Sequence, residues 1–160
     1  MNCKRRAGFT LLEMLVVLAV LAILATLVMP SNANRHIQQQ VVESVELVER
    51  YKGHLEALYF ATGSFPLDNE AAKMPEPDKL IGSYLQRVVV DNGAMHLQFG
   101  RKFPESLTGK WLSIRPLVVE GSPVSPISWV CGYDAIAEGM KAVVDNRTNL
   151  ELAYLPLRCR

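Results

Sequence analysis

A single carboxylate stands inside a stretch of sequence that otherwise carries no charge. Glu13 lies near the start of an apolar run that opens at Phe9, and from Met14 to Met29 every residue except Thr26 is apolar. A carboxylate at the centre of a membrane helix costs roughly 2.5–3.5 kcal/mol, and pairing with a cation makes such a charge tolerable. The chemistry that Glu13 suggests is therefore ion pairing with a partner at the edge of an apolar medium.

A local explanation for Glu13 is a capping box. The spacing Thr10-x-x-Glu13 is typical of the first turn of a helix, where an acid also suits the helix dipole. This explains why an acid is tolerated there. It does not explain the three cationic residues at positions 4–6 or Gly8, which stand just ahead of it.

The element that positions Glu13 is a predicted transmembrane helix. Residues 9–29 would span about 31 Å as a helix, which matches the hydrocarbon core of a bilayer. The cationic residues ahead of it should stay cytoplasmic, so the rest of the chain would face the opposite side. A secretory signal peptide is disfavoured because no A-x-A pattern follows the run. A plain signal anchor remains the alternative.

At residues 8–13, with the sequence GFTLLE, the chain closely resembles the type IV pilin class. The resemblance implies that prepilin peptidase cleaves between Gly8 and Phe9, and that the new N-terminal Phe9 is methylated. It also implies that Glu13 is the assembly carboxylate, which pairs with the N-terminal amine of a neighbouring subunit. Residues 1–8 would then be a leader that is removed.

The cysteines predict one disulfide in the part of the chain that remains. Cys3 would be lost with the leader, which leaves Cys131 and Cys159 in an oxidising compartment. A bridge between them would close a loop of 27 residues and contribute about 3–4 kcal/mol. Two separate buried thiols are the less favoured alternative.

Beyond the apolar run the helix is expected to continue. We expect Pro30 to bend or locally loosen the helix rather than end it, and Gly63 to act as its stop signal. The sequence therefore predicts one bent helix from Thr10 to about Thr62, apolar all round in its first half and on one face in its second. The apolar stripe of the second half consists of Ile37, Val41, Val45, Val48, Tyr51, Leu55 and Leu58.

The rest of the chain predicts a small antiparallel sheet. Residues 63–84 form a connecting loop rich in proline, glycine and charge. Strands at 85–90 and 94–99 flank Asp91-Asn92-Gly93, a hairpin signal, and a third strand starts at Lys110. Pro116 makes its continuation an edge or a bulge, and residues 127–131 form a fourth strand. Four strands on the amphipathic half-helix give an α+β head.

The layout as a whole is similar to that of type IVa pilins. The resemblance implies a leader at 1–8, a transmembrane and assembly helix at 9–30, an amphipathic half-helix at 31–62, the connecting loop, the sheet at 85–131 and a disulfide-bounded loop at 132–160. The sequences WVC at 129–131 and YLPLRCR at 154–160 resemble the two ends of that loop.

The function implied by the resemblance is that of a structural subunit. Such subunits polymerise through their N-terminal helices into a type IV pilus that serves twitching motility, adhesion or DNA uptake. The implied partners are identical or related subunits, prepilin peptidase and the assembly platform of the inner membrane. The chain would cross the inner membrane once before assembly and then lie in an extracellular filament.

Other functional classes have weaker support in the sequence. A minor pilin that binds DNA and a type II secretion pseudopilin are the alternatives within the family. Residues 132–160 hold four basic and four acidic residues, which indicates a mixed solvated surface rather than a DNA-binding one. The three histidines are dispersed and no catalytic, cofactor or metal motif is present, so we expect no enzyme. Asp134, Asp145 and Asn146 are more typical of loop residues than of calcium ligands.

Overall fold

The computed structural model describes residues 10–80 and 82–160, and for residues 27–33 it describes the backbone alone. Contacts divide the chain into two units, residues 1–35 and residues 36–160. The elements in chain order are α1 (Leu11–Glu49), α2 (Lys52–Thr62), β1 (Leu85–Asp91), β2 (Ala94–Phe99), β3 (Trp111–Val119), β4 (Ser128–Cys131) and β5 (Met140–Ala142), with short 3₁₀ turns at Glu105–Leu107, Leu152–Tyr154 and Leu157–Cys159. The predicted α+β class is confirmed.

The long helical region predicted from Thr10 to about Thr62 is present, but it consists of two helices instead of one bent helix. A turn at residues 50–51 separates α1 from α2. There the Tyr51 N–H donates to the Val48 carbonyl at 2.9 Å, three residues back instead of four. This tighter bond ends the regular α-helical pattern, and no proline marks the place in the sequence.

Two other features of the helices were visible in the sequence. Gly63 ends α2 in the left-handed conformation with φ of 77°, and its N–H donates to the Tyr59 carbonyl, as expected of a glycine stop signal. The backbone of α1 continues as helix through Pro30. The expected bend at Pro30 stays a prediction.

The described residues form an antiparallel sheet of five strands, in which β1, β2, β3 and β4 lie in sequence order and β5 also pairs with β3. The sequence predicted four strands, and it missed the three-residue β5 inside the expected C-terminal loop. The predicted hairpin between β1 and β2 is present. Asn92 and Gly93 have φ of 45° and 80°, which is the conformation a two-residue hairpin turn requires.

Pro116 lies inside β3, at a gap between two neighbouring strands. Residues 111–114 of β3 pair with β2, and residues 117–119 pair with β5. The Pro116 carbonyl accepts the N–H of Val143 at 3.2 Å on this edge. Because proline has no N–H, its position between the ends of β2 and β5 leaves no donor unpaired there. The edge or bulge expected at Pro116 is therefore the point at which the neighbour of β3 on this side changes from β2 to β5.

One buried amide, that of Asn69, contributes three of the hydrogen bonds that order the connecting loop against the sheet. Asn69 is 5% exposed, and its Oδ1 accepts the Val90 N–H at 2.8 Å. Its Nδ2 donates to the carbonyls of Val88 at 3.1 Å and Pro75 at 2.9 Å. All the hydrogen bonds of the amide tie the loop to itself and to β1, so the loop is ordered without regular structure.

The core of the head lies between one face of the helices and one face of the sheet. The helical stripe predicted from sequence supplies its buried residues Val41, Val45, Val48 and Leu55, with Ile37 and Tyr51 partly buried against them. The sheet and the C-terminal region contribute Leu85, Val88, Val90, Met95, Leu97, Phe99, Leu112, Ile114, Leu150, Leu155 and Cys159. The apolar face of the second half of α1 is thus accounted for.

The predicted transmembrane segment, residues 9–30, is described only in part, because Phe9 and the side chains from residue 27 onward fall outside the described residues. Within the described residues, none of the helices combines the length and the hydropathy of a membrane-crossing segment. The predicted segment stays a prediction.

The core contacts of α2 predict a large effect of shortening Leu55. This side chain is fully buried, so Leu55→Ala should lower the free energy of unfolding of the full chain in detergent micelles by about 2–5 kcal/mol. Leu157→Ala is the matched control, because Leu157 is 83% exposed and the same change should cost less than about 0.5 kcal/mol there. Urea unfolding followed by circular dichroism measures both. Equal losses would contradict the packing described.

Candidate functional site

The first turn of α1 carries half of the predicted capping box. The backbone N–H of Glu13 donates to Thr10 Oγ1 at 3.3 Å, and the Met14 N–H donates to the Thr10 carbonyl at 3.3 Å. Thr10 therefore begins the helix, and the carboxyl group of Glu13 is exposed in its first turn. Gly8 and Phe9 lie outside the described residues, so cleavage and methylation there stay predictions.

The first half of α1 exposes apolar side chains on all sides. Every residue from 11 to 26 is exposed, and Leu11 reaches 80%. The one hydroxyl in this stretch, Thr26 Oγ1, donates to the carbonyl of Ile23 at 2.7 Å. Its hydrogen bond is therefore made within its own helix. A helix that is apolar all round is stable only against lipid or against other apolar helices. This surface therefore requires a partner outside the described chain.

The predicted disulfide is present. Cys131, the last residue of β4, is bonded to Cys159 in the final 3₁₀ turn, with their Cα atoms 4.5 Å apart. Cys159 is fully buried and belongs to the core of the head. The bond therefore joins the sheet to the C-terminal end of the chain through the core.

Gly132 makes the tight junction beside this disulfide possible. Its φ is 58°, and a Cβ added there would lie 2.4 Å from the carbonyl oxygen of Cys159. Its N–H donates to the Ser113 carbonyl at 2.8 Å, and the next N–H, that of Tyr133, donates to the Cys159 carbonyl at 3.0 Å. Only glycine fits between these bonds.

Residues 144–149, which we call the closing segment, are hydrogen-bonded to β3. The Ser113 N–H donates to Thr148 Oγ1 at 3.0 Å, and Ser113 Oγ accepts the Arg147 N–H at 2.9 Å. Trp111 and Asn149 form a second pair of bonds, in which the Trp111 N–H donates to Asn149 Oδ1 at 2.7 Å. The Asn149 N–H donates back to the Trp111 carbonyl at 3.1 Å. Polar contacts thus hold the segment to the sheet.

His96 is fully buried and is linked to the closing segment through Ser113, whose Oγ contacts both the ring and the Arg147 N–H. Its Nδ1 is 2.8 Å from Ser113 Oγ. Burial, reinforced by the positive charge of Arg147 and, less strongly, of Arg115, lowers the pKa of His96 from 6.5 to about 4, although Asp91 acts in the opposite direction. The imidazole is therefore neutral at physiological pH.

Arg115 is buried on the same face of the sheet as His96 and Ser113, and we call these three residues the buried layer. Burial lowers the pKa of its guanidinium, and Asp145 opposes that shift. Its side chain donates to the carbonyls of Val144 and Gly132, each at 3.4 Å. The closing segment and the turn after β4 are therefore joined by a cation that has little access to water.

The sequence did not indicate this buried layer. Alternation along β2 places Met95 and Leu97 in the core and His96 on the opposite face. What covers His96 is an irregular segment that has no periodicity to detect. The two bracketing cysteines were the one available signal that residues 132–160 fold back on the sheet.

Most of the basic residues in the C-terminal region, residues 132–160, form ion pairs with acids. Lys141 pairs with Glu120 at 3.1 Å, and Arg158 pairs with Glu49 at 3.1 Å. Arg147 pairs with the carboxylate of Asp91. These contacts agree with the mixed, solvated surface expected from the sequence.

The other polar residues noted in the sequence have local structural roles. Asp134 Oδ1 accepts the N–H of Ala135, and Asn146 Nδ2 donates to the Gly132 carbonyl at 2.7 Å. In the described part of the chain, no group of His, Cys, Asp or Glu side chains is placed to hold a metal ion. Trp129 packs against the core, and its Nε1–H donates to Glu56 Oε1 at 2.6 Å, which joins β4 to α2.

Comparison with known proteins gives a consistent result. Residues 3–29 match the family described as the prokaryotic N-terminal methylation motif. A type IV major pilin protein of Neisseria gonorrhoeae is 30% identical over 159 residues, covering 96% of this chain and 86% of the relative. A fimbrial protein of Neisseria meningitidis serogroup B is 28% identical, covering 96% and 93%. A fimbrial protein of Eikenella corrodens is also 28% identical, covering 96% and 90%.

The junction at Gly132 predicts a position-specific effect of adding a methyl group. Gly132→Ala should lower the free energy of unfolding by about 2–5 kcal/mol, because it combines a left-handed conformation with a clash against the Cys159 carbonyl. Gly139→Ala is the matched control. Its φ of 79° is similar, but nothing lies within 4 Å of the added Cβ, so about 1 kcal/mol is expected.

Urea unfolding of the oxidised full chain measures both glycine variants, and alkylation of free thiols followed by mass analysis reports whether the disulfide has formed. Equal losses in the two variants would show that the close approach of Gly132 to Cys159 is unimportant.

Proposed function

The chain belongs to the type IV pilin family, and on this premise we propose that it is a fibre-forming structural subunit which polymerises through its N-terminal helix into a type IV pilus. The observation that carries this proposal is the first half of α1, whose side chains from residue 11 to residue 26 are exposed and almost all apolar. Such a surface needs lipid or other apolar helices around it, and a filament of packed helices supplies the second.

In the proposed mechanism the apolar half-helix passes between two environments. Before assembly, residues 9–30 cross the inner membrane, with the cationic leader in the cytoplasm and the head on the opposite side. During assembly the same residues leave the lipid and pack against the helices of neighbouring subunits. Because one apolar environment replaces another, extraction does not require the helix to be exposed to water.

Glu13 would set the register of assembly. Cleavage after Gly8 by prepilin peptidase removes three cationic residues and leaves a single amine on Phe9, which is then methylated. The exposed carboxylate in the first turn of α1 is in a suitable place to pair with that amine on the next subunit. We propose that the assembly platform of the inner membrane delivers each subunit to this pairing.

Four considerations favour a main pilus subunit over the alternatives within the family. The similar Neisseria gonorrhoeae proteins are named major pilins, and this chain carries an acid, Glu13, for the proposed assembly pairing. A disulfide closes its C-terminal region, which favours a pilin over a secretion pseudopilin. A DNA-binding minor pilin has less support, because Lys141, Arg147 and Arg158 are paired with acids. Motility, adhesion and DNA uptake are the proposed uses of the filament.

Replacing the carboxylate tests the proposed pairing. Glu13→Gln and Glu13→Val should leave membrane insertion and leader cleavage intact while the yield of sheared filaments falls by about 100-fold or more. The reason is that removing one partner of a buried ion pair costs about 3–5 kcal/mol. Glu43→Gln is the matched control, since Glu43 is an exposed acid on the same helix and its loss should leave the yield unchanged.

Immunoblots of the membrane fraction and of sheared filaments from the producing cells measure both quantities. Normal filament yield from either Glu13 variant would contradict the pairing role, and loss of the protein from the membrane would contradict the claim that insertion is independent of Glu13.

A further inference from the structure

The buried imidazole of His96 is poorly placed to accept a second proton. The side chain is fully buried, and in the described part of the chain Nε2 has no hydrogen-bond partner. Ser113 Oγ accepts the N–H of Arg147, so the Ser113 hydroxyl proton is free to point toward Nδ1 of His96, 2.8 Å away. A proton added to Nδ1 would force that hydroxyl to turn, and both ring N–H groups would need acceptors.

The charges around His96 also disfavour protonation. Arg115 faces it from β3 and Arg147 faces it from the closing segment, while Asp91 at the end of β1 is the one acid that acts on it. The Asp91 carboxylate is already paired with the Arg147 guanidinium. The negative charge of Asp145 favours the charged form of Arg115. An imidazolium here would be a buried cation close to two others, the buried Arg115 and the half-exposed Arg147.

The closing segment can separate from β3 without disturbing the core. Of its six residues, all of them described, Thr148 alone is buried, so the segment buries little apolar surface. Leu150 anchors the chain that follows it in the core, and the disulfide of Cys159 holds the chain further on. Pairing of β5 with β3 holds the chain before it. Regions with few buried apolar contacts open locally at a lower free energy than the whole fold.

We propose that this layer is an acid-released clamp, in which protonation of His96 separates the closing segment from β3 while the disulfide keeps it attached to the head. Release would expose the side chains of Ser113 and Arg115 to water. This inference goes beyond filament formation and does not depend on it.

The direction of the pH effect follows from linkage. Because the pKa of His96 is about 4 when the clamp is closed and 6.5 when the ring is in water, the open form binds protons more readily. The closed form is therefore fully favoured above about pH 6.5 and loses its advantage as the pH falls toward 4. Opening should become about 50- to 100-fold more favourable between pH 7.5 and pH 4.5.

Hydrogen exchange of the full chain in detergent micelles, read by mass spectrometry and corrected for the intrinsic effect of pH, tests the clamp. The amides that join the segment to the sheet, those of Trp111, Ser113, Arg147 and Asn149, should lose protection by about 50- to 100-fold between pH 7.5 and pH 4.5. Peptides of β2 should keep their protection. Loss of protection in β2 and the closing segment together would mean that the head unfolds as a whole, which would overturn the proposal.

Two variants assign the effect to one histidine. His96→Gln cannot take up a proton, so protection of the closing segment should no longer depend on pH in this range. His36→Gln removes an exposed histidine on α1 and should behave as the unchanged chain does. The same acid-induced loss in His96→Gln would contradict the proposal.

If His96→Gln does not fold, an NMR titration of the His96 ring in the unchanged chain replaces it. A ring whose titration coincides with the opening of the segment supports the clamp. A ring that titrates near pH 6.5 while the segment stays protected overturns it.

Discussion

The contact on which the head depends is the packing of one helical stripe against one face of the sheet. Val41, Val45 and Val48 of α1 and Leu55 of α2 are buried there. Because side chains alternate along a strand, a face packed on the helices requires that the residues between lie on the opposite face. His96 and Ser113 lie on that second face, and Ser113 bonds to both His96 and the closing segment. The two layers therefore differ in kind. The helices are held to the sheet by apolar burial, and the closing segment is held by hydrogen bonds and by the ion pair of Arg147 with Asp91.

The two halves of α1 have opposite requirements. From residue 36 onward its apolar residues form one stripe, and the head itself buries that stripe. From residue 11 to residue 26 the apolar side chains are exposed on every side. One helix therefore supplies both the core of a folded head and a surface that the chain cannot bury by itself. This division connects the fold with the proposed polymerisation, since neighbouring helices or lipid would cover the first half.

Features specified by local chemistry could be predicted from the sequence. The stripe of α1 and α2, the stop at Gly63, the turn at Asn92-Gly93 and the pairing of Cys131 with Cys159 each follow from spacing or from one residue type. Features set by tertiary contacts could not. The break at residues 50–51 has no proline to signal it, and β5 is three residues long. The burial of His96 depends on an irregular segment about fifty residues further along the chain.

Intact-mass analysis of filaments sheared from the producing cells tests the central claim most directly. We expect a dominant species that begins at Phe9, carries one methyl group, and has two hydrogens fewer than the reduced chain because of the disulfide between Cys131 and Cys159. That single mass would establish cleavage, methylation, disulfide formation and assembly together. A chain still carrying residues 1–8, found in the membrane and absent from filaments, would contradict the account and identify the N-terminal segment as a plain anchor.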